Sequence, residues 1–95
     1  MQLKVSDEAD RDVDRLHEYG IAVYGEQQAD GYLISLLGEY RRIVAWPLAF
    51  RERHDVRPPV RLRPFRAHNI FYDVTQDTVT IVRVLHHSAD WVHIL

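Results

Sequence analysis

The chain has 95 residues, 46% of them hydrophobic, and no cysteine. This length supports a single domain, residues 1–95, because surface-to-volume scaling leaves little room for two hydrophobic cores. The absence of cysteine excludes disulfides and thiolate zinc sites, and it is typical of a reducing compartment. No signal sequence is visible and no apolar run reaches the roughly 20 residues that span a bilayer, so we expect a cytoplasmic protein with no membrane partner.

The net charge of -2 conceals three segments of different sign. Residues 1–40 hold nine acidic and three basic residues, whereas residues 41–66 hold eight arginines against two acids. Residues 67–95 hold three acids and one arginine. Arginine, whose planar fork suits phosphate or carboxylate, accounts for every basic residue except Lys4. The basic segment therefore either binds an anionic partner or pairs with the acidic helix of the chain itself.

The first half of the chain predicts a strand followed by two helices. Alternation over residues 2–5 indicates a short strand, after which Ser6 stands at an N-cap position before acidic residues that favour the helix dipole. Apolar residues at helical spacing continue to about residue 24. A second, strongly amphipathic helix covers about residues 26–46 and ends at a proline. Residues 47–59 are predicted to form an ordered loop.

Three strand candidates follow, at about residues 60–66, 68–75 and 78–87. Together with the earlier elements they predict an α+β domain. In it, a short N-terminal strand and a helical hairpin precede a three-stranded antiparallel meander, and the helices pack on one face of the sheet. Pro64, inside the first of these strands, indicates incomplete pairing near a sheet edge.

The last predicted strand is apolar on both faces. Strict alternation divides its residues into two sets: Ile81, Arg83, Leu85 and His87 on one face, and Val82, Val84 and His86 on the other. The helices of a two-layer domain cover only one face of the sheet. The second face is then either an open binding groove or a surface capped by the C-terminal residues 91–95, and the pattern allows both.

Histidines and arginines are the residues that could carry chemistry. Alternation would separate His86 from His87, and the sequence has no metal-binding spacing such as HExxH, no glycine-elbow serine and no phosphate-binding glycine loop. We therefore expect no metal and no cofactor. Three arginines on two strands could share one sheet face and bind an anion or the acidic residues of a protein partner: Arg61, Arg63 and Arg83.

Four stretches in order cover almost the whole chain: ADRDVDRLHEYGIAVYG, QQADGYLISLLGEY, RERHDVRPPVRLRPFRAHNIFYDV and TVTIVRVLHHSADW. Their order and spacing resemble the ParE branch of the ParE/RelE toxin superfamily. The closing hairpin is the most specific part, because the aromatic-rich IFYDV precedes IVRVLH and an aspartate lies three residues after the second histidine. WPLAFRERHD departs from the pattern, since it keeps the proline after the second helix but lacks the glycine that often follows.

The resemblance implies a toxin of a bacterial type II toxin–antitoxin operon, neutralised by a cognate ParD-like antitoxin with which it forms a hetero-oligomer. ParE-type members inhibit DNA gyrase, whereas RelE-type members cleave mRNA on the ribosome. The RVLHH ending, the lack of a lysine set and the lack of a tyrosine after Tyr72 favour the gyrase branch. The arginines with His86 or His87 could still assemble a ribonuclease set. A non-toxic binding module is a third interpretation, and no direct sequence-specific nucleic acid binding is expected.

Two sets of candidate site residues follow, and neither contains a residue with a catalytic role. Candidates for contact with the target lie on the basic strand and at the end of the last strand: Arg61, Arg63, Arg83, His86, His87, Asp90 and Trp91. Candidates for contact with the antitoxin are apolar residues of the second helix and the sheet: Leu33, Leu37, Tyr40, Phe65, Phe71, Val82 and Val84.

Overall fold

A computed structural model describes residues 1–95 as a five-stranded sheet with two long helices on one face. The long helices are α1 (Asp7–Tyr24) and α2 (Glu26–Ala45), and a short helix, α3 (Trp91–Ile94), follows the sheet. The strands are β1 (Gln2–Val5), β2 (Glu52–Arg53), β3 (Val60–Phe65), β4 (His68–Val74) and β5 (Thr78–His86). Neither long helix has the sustained apolar composition that a bilayer-crossing segment needs.

Ser6 fixes the start of α1 and ties it to the sheet. Its hydroxyl oxygen accepts the backbone N–H of Ala9 at 3.0 Å, and its hydroxyl donates to the carbonyl of Val82 in β5 at 2.7 Å. Gly25 separates the two helices, because it adopts a φ of 91° that residues with a Cβ seldom take. The predicted bounds of both helices are confirmed to within one residue.

Replacement of Ser6 by alanine removes both of these hydrogen bonds. We expect Ser6→Ala to lower the free energy of unfolding by about 1–2 kcal/mol, the range for loss of an N-cap. Urea denaturation followed by circular dichroism measures this difference. Ser35→Ala, in the middle of α2, is the control and should leave the stability unchanged. A Ser6→Ala protein as stable as the wild type would contradict the capping role.

The sheet is mixed, with strand order β1-β5-β4-β3-β2. The predicted antiparallel meander of β3, β4 and β5 is present, but the three-stranded sheet was an incomplete prediction. β1 pairs parallel with the outer edge of β5, and the two-residue β2 pairs antiparallel with the start of β3. A two-residue strand has no readable period, and side-chain alternation does not tell which distant strand β1 will join. Pro64 lies where β3 has no outer neighbour, as predicted.

A bulge in β5 changes which residues share a face of the sheet. The register against β4 slips between Phe71 and Tyr72, which leaves Val82 without a partner. Ile81 and Val84, on either side of this bulge, both lie in the core beneath the helices. The prediction that placed these two residues on opposite faces is therefore wrong, because strict alternation does not survive an inserted residue.

The two faces of the sheet carry separate buried clusters. The larger cluster joins α1 and α2 to β4 and β5, and its members are Ala9, Leu36, Tyr40, Ile43, Ile70, Tyr72, Val79, Ile81 and Val84. The smaller cluster, on the other face, is covered by the loop after α2 and by the C-terminal residues; it consists of Val56, Val60 and Phe71, with Leu62, Leu85, Trp91 and Leu95 packed against it. Of the two interpretations of this second face, the capped one agrees with the structure.

Candidate functional site

Arg83 is held by a carboxylate of α1. Its Nε donates to Oδ2 of Asp12 at 2.7 Å and its Nη2 donates to Oδ1 at 2.9 Å, so the two planar groups form a bidentate ion pair. The same carboxylate accepts the backbone N–H of Val84 at 3.0 Å and Nη2 of Arg15 at 3.2 Å. β1 covers the outer edge of β5 only as far as Ile81, and beyond that point the Asp12 carboxylate accepts the backbone N–H that would otherwise be free.

The surroundings of Asp12 keep its carboxyl ionised. Burial by itself raises the pKa of this carboxyl, but the hydrogen bonds from Arg83, Val84 and Arg15 and the charge of Arg83 outweigh burial. The pKa therefore lies below the ordinary value of 3.8. The pKa of Arg83 is raised in turn, chiefly by its hydrogen bond to Asp12.

The lowered pKa of Asp12 predicts a specific acid sensitivity. A carboxyl with a folded-state pKa below its unfolded value contributes its full stability above the unfolded value, and this contribution is lost as pH falls through the folded pKa. We expect the stability difference between wild type and Asp12→Asn to be largest near neutral pH and to shrink below about pH 4. Urea denaturation of both proteins across this range measures it. A difference that does not change with pH would contradict the ion pair.

The two arginines of β3 are also engaged within the chain. Nε of Arg63 donates to Oε2 of Glu39 at 2.7 Å, and Nη1 of Arg42 lies 3.2 Å from the other oxygen of that buried carboxylate. Arg61 donates to the carbonyl oxygen of Phe50. The structure therefore supports the interpretation in which arginines of the basic segment pair within their own chain. A buried carboxylate such as Glu39 needs this pairing, because an isolated buried charge is costly.

The three predicted guanidiniums consequently form no single open anion site. Arg83 reaches Asp12 of α1 at one edge of β5, whereas Arg63 reaches Glu39 of α2 from β3. A phosphate group would have to displace these carboxylates before it could bind either arginine in a bidentate manner. The register between β3 and β4 is regular at Arg61 and Arg63, so these two residues share one face of the sheet, as predicted.

His86 and His87 come together, contrary to the prediction from strand alternation. β5 ends at His86, so His87 is free of the alternation, and the two ring centroids lie 4.4 Å apart. His68 of β4 extends the group, since its ring is 5.5 Å from that of His86 and its Nδ1 is 2.7 Å from the hydroxyl of Tyr32. The prediction that only one of the adjacent histidines can join a given site is wrong, because it extended the strand by one residue.

His68 and Tyr32 are both neutral partners in this histidine group. Burial lowers the pKa of His68, and the charges of His86 and His87 lower it further. Burial also raises the pKa of Tyr32, which keeps its hydroxyl protonated. A protonated hydroxyl can donate to Nδ1 of a neutral imidazole, so the short contact needs no charged form. No three potential ligand side chains lie close enough together to hold a metal ion.

Asp90 and Trp91 have different surroundings. Trp91 packs on Phe71, with ring centroids 5.3 Å apart, and the guanidinium of Arg53 lies 5.1 Å from its ring centroid. Trp91 thereby helps to cover the second face of the sheet. Asp90 is exposed and pairs with His93, and its hydrogen bond raises the pKa of that histidine.

Exposure separates the candidate residues into surface and core. The candidates for target contact that are exposed are His86, His87 and Asp90, whereas the arginines and Trp91 are half-buried. Three candidates for antitoxin contact pack inside the chain: Tyr40 and Val84 lie in the larger cluster beneath the helices, and Phe71 lies in the smaller cluster on the second face, which the C-terminal residues cover. The other four are on or near the surface: Leu37 is exposed, and the half-buried ones are Leu33, Phe65 and Val82.

Two features of the surface were not predicted. Ile34 and Trp46 are each 71% exposed, which leaves apolar area on the outer side of α2 and just after it. The sequence does contain a signal for an apolar patch on α2, because Ile34 and Leu37 are three positions apart and therefore share a helix face. The contact between Tyr32 and His68 was also missed, and no local pattern marks it, since the two residues are 36 positions apart.

Comparisons with known proteins gave a match to a family model and to solved structures. Residues 3–91 match the family model described as the ParE toxin of the type II toxin–antitoxin system, parDE. Among solved structures, the chain is similar to one described as a chromosomal ParDE TA system from P. aeruginosa, with a TM-score of 0.78 and 20% sequence identity. That match covers 90% of this chain and 95% of the other, and it shows a shared fold. No protein with a curated description matches the sequence.

Proposed function

Because the chain belongs to the ParE toxin family of type II toxin–antitoxin systems, we propose that it arrests growth by binding DNA gyrase and that a ParD-like antitoxin neutralises it. The observation that carries the proposal is the family match, which extends over residues 3–91 and includes the closing hairpin. The proposed mode of action is binding rather than catalysis. Two of the arginines that a ribonuclease would need for phosphate, Arg63 and Arg83, are occupied by Glu39 and Asp12, which supports this choice.

The proposed contact with gyrase is the exposed end of β5. His86 and His87 lie there with Asp90, and β4 pairs with β5 as far as His86, so a rigid scaffold presents the two imidazoles. Expression of the chain without its antitoxin tests this proposal. We expect wild type and His54→Ala, a matched control in the exposed loop after α2, to arrest growth. The double variant His86→Ala/His87→Ala should arrest growth far less at equal soluble expression. Equal toxicity of all three proteins would contradict this contact.

The proposed antitoxin surface includes the outer side of α2. Ile34 and Leu37 project from one face of this helix and are 71% and 43% exposed, so a partner can cover them without disturbing the core. We expect Leu37→Glu to weaken antitoxin binding while the fold is retained. Isothermal titration with the purified antitoxin compares this variant with Asp14→Asn, an exposed change on the other long helix. Unchanged affinity of Leu37→Glu would place the antitoxin elsewhere.

A ribosome-dependent endoribonuclease is the alternative, and one observation favours it. Tyr32, His68, His86 and His87 form a compact group of titratable rings that could transfer protons. Adding the chain to a translation extract separates the two functions, because only the ribonuclease would leave cleaved message. A chain that produces neither cleaved message nor growth arrest would be a non-toxic binding module.

A further inference from the structure

A cavity of about 370 Å³ opens between the α1–α2 hairpin and the end of the sheet. Its size falls within the range of small-ligand sites. Rings that combine an apolar body with a polar atom dominate its wall: Tyr19, Tyr24, Tyr32, His17, His68 and His86. The proposed contacts with gyrase and the antitoxin account for only one of these rings.

Two of the tyrosines expose much of their side chains at this cavity. Tyr19 is 64% and Tyr24 is 59% exposed, although both are large and mostly apolar. The face of an aromatic ring carries partial negative charge, so it attracts a cation as well as apolar atoms. Rings of this kind around a cavity are the usual means of binding ammonium and guanidinium groups.

The chain already holds one guanidinium at this aromatic group. Arg66 follows β3, and its guanidinium carbon lies 5.9 Å from the ring centroid of Tyr32 and 5.0 Å from that of Phe65. These distances fall within the reach of a cation–π interaction. Two other rings that line the cavity, Tyr19 and Tyr24 of α1, offer the same chemistry without an internal cation.

The charged groups beside the cavity favour a cation over an anion. No arginine or lysine lines it, and a carboxylate oxygen of Asp30 lies 2.8 Å from the imidazole of the lining residue His17. Two further acids, Glu18 and Glu26, are close to Tyr19 and Tyr24 in the sequence. These acids belong to the segment 1–40, in which acidic residues outnumber basic ones by nine to three. His68 adds no charge near neutral pH, because burial and its neighbouring histidines lower its pKa.

We propose that this cavity receives an arginine side chain from a basic peptide segment of a partner protein. The guanidinium would stack on Tyr19 and Tyr24 while its charge is balanced by the neighbouring carboxylates. Arginine fits better than a phosphorylated or nucleotide ligand, because an anion would find no arginine or lysine lining the cavity. The proposal is independent of gyrase inhibition, since it names a separate surface of the chain.

Amide chemical shifts of the full chain, labelled with ¹⁵N, test the proposal directly. The probe is the peptide acetyl-Gly-Arg-Gly-amide, and its control contains citrulline, which keeps the shape of arginine without the charge. We expect saturable shifts around Tyr19, Tyr24 and Tyr32 with the arginine peptide, and affinity about 2- to 30-fold lower for citrulline. Equal affinity for the two peptides, or no saturable shift with either, would overturn the proposal.

Two substitutions of Tyr24 test whether binding of the arginine peptide needs an aromatic ring or only apolar surface. Tyr24→Phe keeps the ring and should bind the arginine peptide as wild type does, whereas Tyr24→Leu keeps apolar bulk and should lose most of the affinity. Both changes lie at an exposed position, so folding is preserved. Trp46→Leu, at an exposed aromatic residue outside the cavity, should bind normally. Wild-type affinity in Tyr24→Leu would overturn the proposal, whatever the outcome of gyrase assays.

Discussion

Asp12→Ala should lower the free energy of unfolding by about 3 kcal/mol. Asp12 is only 6% exposed, and its carboxylate accepts Arg83 twice and the backbone N–H of Val84 once. Removing it leaves a half-buried guanidinium and a strand N–H without their acceptor. In a domain of this size, such a loss lowers the melting temperature by on the order of 15 °C. Differential scanning calorimetry measures both quantities.

Asp14→Ala is the matched control for this change. Asp14 belongs to the same acidic helix but is exposed, so its removal should change the stability by less than about 0.5 kcal/mol. A second variant, Arg83→Met, removes the other partner of the pair and should also destabilise, because a nearly buried carboxylate then loses its main countercharge. If Asp12→Ala and Asp14→Ala were equally stable, the ion pair at the edge of β5 would not contribute to the fold.

Phe71→Ala should cost about 3–5 kcal/mol, the range for loss of a buried aromatic ring. Phe71 is fully buried at the centre of the smaller cluster, between the loop after α2 and Trp91. This variant discriminates between two roles for the second face of the sheet. If the C-terminal residues cover this face, shortening the Phe71 side chain to alanine destabilises the protein even when no partner is bound. Urea denaturation of the isolated protein is therefore sufficient.

Leu48→Ala provides the comparison for Phe71→Ala. Leu48 is 66% exposed in the loop after α2, so its truncation should leave the free energy of unfolding almost unchanged. Wild-type stability of Phe71→Ala, combined with loss of antitoxin binding, would contradict the closed face. It would instead restore the interpretation in which Phe71 belongs to an open groove for the antitoxin.

The helical part of the fold was predictable because its signals are local. Ser6 can cap only a helix that begins beside it, Gly25 supplies a positive φ, and Pro47 prevents further helical hydrogen bonds. Each of these effects acts within a few residues, so the sequence determines it without knowledge of the tertiary structure. The three longest strands were equally visible through their alternation and aromatic content.

The site was less predictable because its features depend on contacts between distant residues. Asp12 resembles every other acid of α1 until Arg83, 71 positions away, is placed beside it. The bulge at Val82 shifts the faces of β5, yet the apolar run of that strand gives no sign of it. Stacking of His86 on His87 likewise depends on the exact residue at which β5 ends, the least reliable feature of a sequence-based prediction.

Pairing of two of the arginines that could have bound an anion also bears on the proposed mode of action. Arg63 and Arg83 are bound to Glu39 and Asp12, so they are assigned to the architecture of the domain and not to phosphate chemistry. This is why we propose the exposed residues at the end of β5, and not these arginines, for contact with the target. This order of priority is opposite to that suggested by the charge pattern alone, which pointed to the arginines.

Supercoiling of relaxed plasmid by purified DNA gyrase, in the presence of increasing amounts of this chain, is the most direct test of the proposed function. We expect supercoiled product to disappear at micromolar concentrations of the chain and to return when the antitoxin is added in equal amount. His54→Ala should inhibit as wild type does, and the double variant His86→Ala/His87→Ala should inhibit far less. Full supercoiling at high micromolar concentrations of the folded wild-type chain would contradict gyrase as its target.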